Sequence, residues 1–305
     1  MPKTGSLVCI DRVGDIRSFP QIQRTLYSIL APFEDQIRIP PGGRAMIKLN
    51  LCLLKGPETG STVDPMVAKA LVGWLLERFD LRKVYLAEAD ATHLGAEMAF
   101  RALGWYEVFA GQEKVEFFNL SDDERVPVKS KFIAKLEMSR TMMEIDCLVS
   151  LAKLKTHTMQ KITGIMKNQF GAIPYKYKIV HHNILGGATY DATAARPPDL
   201  CVIDGLIAME GNGPTNGTPR HTKLLLASND AVSMDHFCAR LIGFRPGSIP
   251  PVRIASQNGL GSTVYEVRGN PPDPLNLKFR FLPKWKELFK KGVSLMQRGT
   301  ADAEE

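Results

Sequence analysis

The 305-residue chain has no long apolar run. Its longest stretches, such as residues 70–76, fall far short of the ~20 residues a membrane-spanning helix requires. The N-terminus also lacks the basic start and apolar core of a signal peptide, so a cytoplasmic protein is expected. The five cysteines, Cys9, Cys52, Cys147, Cys201 and Cys238, are dispersed and form no C-x-x-C pair. The usual ligand runs of an iron–sulfur cluster or a structural zinc site are therefore missing. No iron–sulfur cluster is expected, and buried free thiols in a reducing compartment are. No Walker loop, dinucleotide fingerprint, kinase signature or nucleophile elbow occurs. There is no internal repeat and no recognised nucleic-acid motif, so nucleic acid is not an expected partner.

What is present is enough apolar material for a large core: 44% of residues are hydrophobic and 23% charged. The net charge of +7 favours anionic partners, and an anionic small molecule is the expected one. Val, Ile and Leu concentrate at residues 7–10, 46–51, 83–87, 147–151, 200–203 and 223–227, with helical patterns between several of them. This alternation predicts an α/β fold, a mixed and mostly parallel sheet flanked by helices.

The helix starts have physical signals. Asp64 precedes Pro65 and a stripe of Val67, Leu71, Trp74 and Leu75, and Asp230 precedes Met234, Phe237 and Leu241. Thr92 stands before Leu94, Met98 and Ala102. Residues 1–270 are read as a single α/β domain, with two lobes, 1–150 and 151–270, as the variant reading. Residues 271–305 are read as a C-terminal extension. Within it, residues 283–297 set Trp285, Leu288, Phe289 and Leu295 among Lys284, Lys286, Lys290 and Lys291. That is a basic amphipathic helix that would dock on the core or make peripheral membrane contact.

Ligands of open α/β sheets collect beyond the carboxyl ends of strands. Lys48, Asn50, Lys153 and Lys155 follow or end such strands and are candidate substrate-binding residues, joined by Asn168. In the stretch AKLKTHTMQKITGIMKNQFGAIP, a helix from Thr158 onward would carry His157, Gly164 and Lys167 on one face. Ten residues of helix would separate His157 from Lys167 by roughly 15 Å, a spacing that flanks a ligand. A mid-helix glycine costs ~1 kcal/mol, so Gly164 signals a close approach to the backbone. His157 and Lys167 are the candidate catalytic pair, Lys167 as base, nucleophile, attachment point or anion-binding group.

The loop of residues 210–217 contains Gly211, Asn212 and Gly213, whose backbone N–H groups are candidates for holding an anion. A plain connecting turn explains its glycines equally well. His182, Glu210 and Asp235 are candidate ligands for a metal ion, although no standard ligand spacing is present. A strand through residues 175–183 would turn only one of His181 and His182 toward the site. The cofactor itself is not specified by the sequence.

The segments KLNLCL, STVDP, AKLKTHTMQKITGIMKNQFGAIP, VIDGLIAMEGNGPTNGTP and LLASNDAVSMDHFCARLIGF together resemble the domain of unknown function 362 family over residues 44–244. Some members carry a ferredoxin-like pair of four-iron clusters, a property this chain departs from because it lacks the cysteine runs. The order His157, Gly164, Lys167 is also similar to a stretch of the nickel-pincer lactate racemases. That resemblance implies proton handling by His157 and a cofactor or substrate anchor at Lys167. The function expected is an enzyme acting on an anionic small molecule, by redox or isomerase chemistry. The alternative is a non-catalytic metal- or cofactor-binding accessory protein.

Overall fold

A computed structural model describes residues 5–281; the expected amphipathic helix at residues 283–297 lies outside the described residues. The strands are β1 (Leu7–Arg12), β2 (Gly43–Lys48), β3 (Leu81–Glu88), β4 (Val115–Asn119), β5 (Arg125–Val128), β6 (Leu136–Ser139), β7 (Cys147–His157), β8 (Lys161–Ile162), β9 (Leu200–Glu210), β10 (Thr218–Ser228) and β11 (Glu266–Gly269). The helices are α1 (Phe19–Leu30), α2 (Pro65–Arg78), α3 (Ala96–Ala102), α4 (Trp105–Val108), α5 (Arg140–Glu144), α6 (Gly164–Gly171), α7 (Leu185–Ala195), α8 (Ala231–Ile242) and α9 (Pro250–Gln257).

Nine strands form one sheet in the order β11-β1-β10-β9-β7-β2-β3-β4, with β8 paired to β7 off that path. Neighbours along the path are parallel except that β10 runs antiparallel to both β1 and β9. The fold is the mixed, mostly parallel α/β sheet the sequence predicts. Its central strands are buried on both faces, as parallel strands covered by helices must be. Val149 and Leu151 of β7 join the core beneath α1 and α2, while Ala152 and Leu154 pack on the opposite face with α6 and α8.

Two of the three predicted caps form as expected. The Asp64 side chain accepts from the Met66 N–H, and Asp230 accepts from Val232 and Ser233. The helix expected after Thr92 instead starts at Ala96, with Gly95 at its cap and the Asp90 carboxylate accepting from the Ala96 N–H. Three strands, β7, β9 and β10, run beyond their apolar stretches through polar residues, and two charge pairs, Lys153–Asp204 and Arg220–Glu210, join them across the sheet. Lys153 stands opposite Asp204 in the register of β7 and β9, and the two are joined at 2.8 Å. The described residues beyond 270 stay engaged with the fold. Leu277 and Phe279 donate backbone hydrogen bonds to Leu241 and Ile242, and Gly211 N–H donates to Arg280 O at 2.8 Å.

Consecutive connections determine where a crevice opens. After β2 the chain crosses by α2 to β3 on one side; after β7 it crosses by α6 and α7 to β9 on the other. Since β2 and β7 are parallel neighbours, the connections that leave their carboxyl ends diverge. This is the topological switch point at which open α/β sheets bind ligands.

Candidate functional site

A cavity of about 540 Å³ occupies this crevice. Five lysines, Lys48, Lys155, Lys167, Lys176 and Lys178, line it against one carboxylate, Glu88, together with His93, His157 and His182. Lys48 ends β2 and is fully buried, with its ammonium paired to Glu88 and donating to Leu49 O at 2.7 Å. Glu88 also accepts from the N–H groups of Leu51 and Ala89, so the pair is well satisfied and brackets the start of the loop after β2. Lys155, in β7, donates to Ser61 O and, at 3.2 Å, to the Cys52 sulfur. Lys178 donates to Asp90 O, Gly171 O and Ile173 O. Burial, opposed by the negative charge of Glu88, pushes its pKa down to about 7.

Lys167 differs from these. Among the described residues its amine has no hydrogen-bond acceptor and no ion-pair partner; it lies 4.3 Å from the centre of the Phe170 ring. Burial, assisted by the positive charge of Lys155 and Lys48 and opposed by Cys52, lowers its pKa to about 8. The amine is still mostly protonated near physiological pH, but its neutral fraction is far larger than that of a solvated lysine.

His157 is held in its neutral form. Burial and then the charge of Lys167 hold its pKa well below the usual imidazole value. Its Nδ1 accepts from the N–H groups of Met159 at 3.2 Å and Gln160 at 3.3 Å, which places the ring proton on Nε2.

The continuous helix expected from Thr158 does not form. His157 ends β7, residues 158–160 make a turn, and β8 pairs back, with Thr156 opposite Ile162. The helix begins only at Gly164, so His157 and Lys167 face one cavity from two elements. Gly164 is the first residue of α6, with φ of 59°, and a Cβ there would lie 2.3 Å from Asp235 Oδ1. The close approach expected at Gly164 is therefore made by a protein carboxylate. Asp235 accepts from Ile165 N at 2.6 Å and Met166 N at 3.0 Å, satisfying two of the orphan donors of the α6 N-terminus.

Several candidates lie elsewhere. Lys153 is outside the cavity lining and is committed to Asp204. Gly211, Asn212 and Gly213 do not line the cavity either; their loop reaches it through Pro214. A Cβ on Gly213 would meet Thr156 O at 2.0 Å, so that glycine serves a close packing of loop on strand. Glu210 is held by Arg220 at 2.8 Å and Arg280 at 2.6 Å. Of the proposed metal ligands only His182 borders the cavity. Among the described residues no three His, Cys, Asp or Glu side chains converge as a metal-ligand group. Residues 178–184 form a 3₁₀ helix and not a strand, and of its two histidines His182 lines the cavity.

Asn50 and Asn168 do line it. Asn168 donates to Lys48 O at 3.2 Å and Ser150 Oγ at 3.1 Å, while the side-chain oxygens of both asparagines and the Thr163 hydroxyl have no partner among the described residues. Sequence reasoning missed Cys52, His93, Lys176 and Lys178 as lining residues. Cys52 is only partly buried, unlike the other four cysteines, so the expectation of five buried thiols fails at this position.

Fold and site together define an α/β protein with a lysine-floored crevice beyond its parallel strands. Residues 46–240 match the model of the domain of unknown function 362 (DUF362), more than half of the sequence, and the chain belongs to that family. It is similar to the thylakoid-associated protein sll1697 of Synechocystis sp., 34% identical over 139 residues, which is 43% of this chain and 43% of that relative. The match thus spans less than half the relative's length.

Among solved structures, the lactate racemase apoprotein of Thermoanaerobacterium thermosaccharolyticum has a TM-score of 0.35 at 8% identity, covering 84% of this chain and 58% of the other. A complex of the Haloferax volcanii Trm112 methyltransferase activator with the putative methyltransferase has a TM-score of 0.25 at 12% identity, covering 72% and 95%. Neither likeness extends to function. Among the described residues no helix is long and apolar enough to cross a membrane.

Proposed function

We propose that the chain is an enzyme acting on an anionic small molecule, with Lys167 as its reactive amine and His157 as a neutral hydrogen-bond donor. The observation that carries this reading is that, among the described residues, the Lys167 amine has no hydrogen-bond acceptor inside a cavity bordered by four further lysines. A lysine that only stabilises the fold finds acceptors, as Lys48, Lys153, Lys155 and Lys178 do. With a pKa near 8, Lys167 accepts and returns a proton readily, the property required of a general base. His157, with its proton fixed on Nε2, is suited to donate to an oxygen on which negative charge develops. Proton transfer beside a carbonyl group, an isomerase type of chemistry, uses both groups. Lys155 and Lys176 attract the anion, and Asn50 and Asn168 orient it.

A second reading, a resident organic cofactor, is favoured by the unpaired oxygens of Asn50 and Asn168. It predicts non-protein mass in gently purified protein. The enzyme reading is tested by screening carboxylates and phosphates by thermal shift against the wild type and Lys167→Ala, then assaying the binders for turnover or solvent-deuterium exchange. Exchange in the wild type that is lost in a folded Lys167→Ala variant is the expected result. Undiminished exchange in the variant removes Lys167 from the mechanism.

A further inference from the structure

The cavity is not uniform in chemistry. Its floor carries charge: Lys48 and Lys155 are 0% and 1% exposed. Its rim is aliphatic and open: Leu54 and Ile179 line the cavity and yet are 49% and 54% exposed. Leu51, Leu53 and Leu94 line it as well, Leu51 and Leu94 buried and Leu53 half-buried. Beside Ile179, Tyr177 and Val180 add further exposed apolar surface at 63% and 67%. Isolated exposed aliphatic residues are ordinary, but a group of them around one opening marks a contact surface. A cavity of about 540 Å³ is also of the size that encloses a drug-sized ligand, far larger than an acid of two or three carbons needs.

The deep end has hydrogen-bonding capacity to spare on both sides. Lys167 offers an amine that has no acceptor among the described residues. Asn50 and Asn168, 8% and 1% exposed, offer carbonyl oxygens without a donor. The two asparagine oxygens are buried atoms whose lack of a donor is costly, and a ligand that supplies an O–H or N–H donor with an anionic acceptor satisfies them together with the half-buried amine of Lys167.

From this polarity the geometry points to an amphiphilic substrate: an anionic head drawn in by Lys155 and Lys176 and set beside Lys167, and an aliphatic body running outward over Leu51, Leu53 and Leu94 to leave between Leu54 and Ile179. This rests on the proposed enzyme reading and specifies its substrate class. The same chemistry is met in a free aliphatic acid and in one drawn from a lipid surface; the head and the chain are what the cavity recognises.

Calorimetric titration of the full chain with acetate, decanoate and decan-1-ol tests it. Decanoate is expected to bind with one-to-one stoichiometry and at least roughly 50-fold more tightly than acetate, since each methylene buried adds to affinity. Decan-1-ol, lacking charge, is expected to bind at least 10-fold more weakly than decanoate. The surface variants Leu54→Ser and Ile179→Ser should weaken decanoate several-fold and leave acetate unchanged, and Lys167→Ala should weaken both acids. Equal affinity for acetate and decanoate, or for decanoate and decan-1-ol, overturns the inference. So does decanoate binding that is indifferent to Leu54→Ser and Ile179→Ser. If short anions bind in a Lys167-dependent way and decanoate gains nothing, the enzyme reading stands and the amphiphile falls; if no anion binding depends on Lys167, both fall.

Discussion

Gly164 and Asp235 share a single small space: a Cβ on the glycine would sit 2.3 Å from one carboxylate oxygen and 2.8 Å from the other. The carboxylate, carried on α8, caps the N-terminus of α6, the helix that holds Lys167. Gly164→Ala adds left-handed backbone strain of ~1–2 kcal/mol and displaces charge-assisted hydrogen bonds worth about 2 kcal/mol. A destabilisation of roughly 3 kcal/mol is expected, measured as a lower midpoint in urea unfolding. A variant as stable as the wild type would show that α6 does not depend on this contact.

Asp235 also imposes a pH dependence. Burial raises its pKa from 3.8 to about 7, against the two backbone N–H groups that favour the carboxylate. Between these values the folded chain keeps a proton that the unfolded chain has lost, so this group's contribution to stability declines as pH rises from about 4 to about 7. Asp235→Asn should remove that decline. Unfolding curves at pH 5 and pH 8 that respond alike in wild type and variant would contradict it.

The sheet and two helix caps were legible because apolar runs, Asp64-Pro65 and Asp230 state their structure locally. The extension of β7 through Lys153, Lys155 and His157 was not. Buried lysines interrupt an apolar pattern, and only the cross-strand partner Asp204, fifty-one positions away, makes such a strand possible. Lys167 and His157 were legible as candidates but not their relation, since the turn at residues 158–160 replaces an expected helix. Asp235 is legible only as a polar residue beside an apolar helical stripe and as a candidate metal ligand; its partners, the N–H groups of α6, are invisible in sequence.

The Lys48–Glu88 pair is a sharp test of burial. Glu88→Ala leaves a buried ammonium with a single carbonyl acceptor and should cost about 3–5 kcal/mol. The double replacement Lys48→Met with Glu88→Leu should recover much of that loss. Additive losses in the double variant would mean that the two residues are not coupled.

Cys52 should be the thiol among the five that alkylates in the native state. Cys9, Cys147, Cys201 and Cys238 are buried, and burial pushes the Cys9 thiol up to about 11 and the Cys238 thiol well above its usual value. Mass mapping after brief iodoacetamide treatment should place the label on Cys52, and a cavity ligand should protect it. Label on the other four at a comparable rate would contradict the buried assignment.

The most direct test of the account is the titration of Lys167 itself. After reductive ¹³C-methylation, its NMR resonance, assigned by comparison with Lys167→Arg, should move with a midpoint near pH 8, well below that of a solvated lysine. An anion bound in the cavity should raise that midpoint, because a negative charge beside the amine favours its protonated form. A midpoint near 10.5, unmoved by any anion, would contradict the claim that Lys167 is the reactive amine of this site.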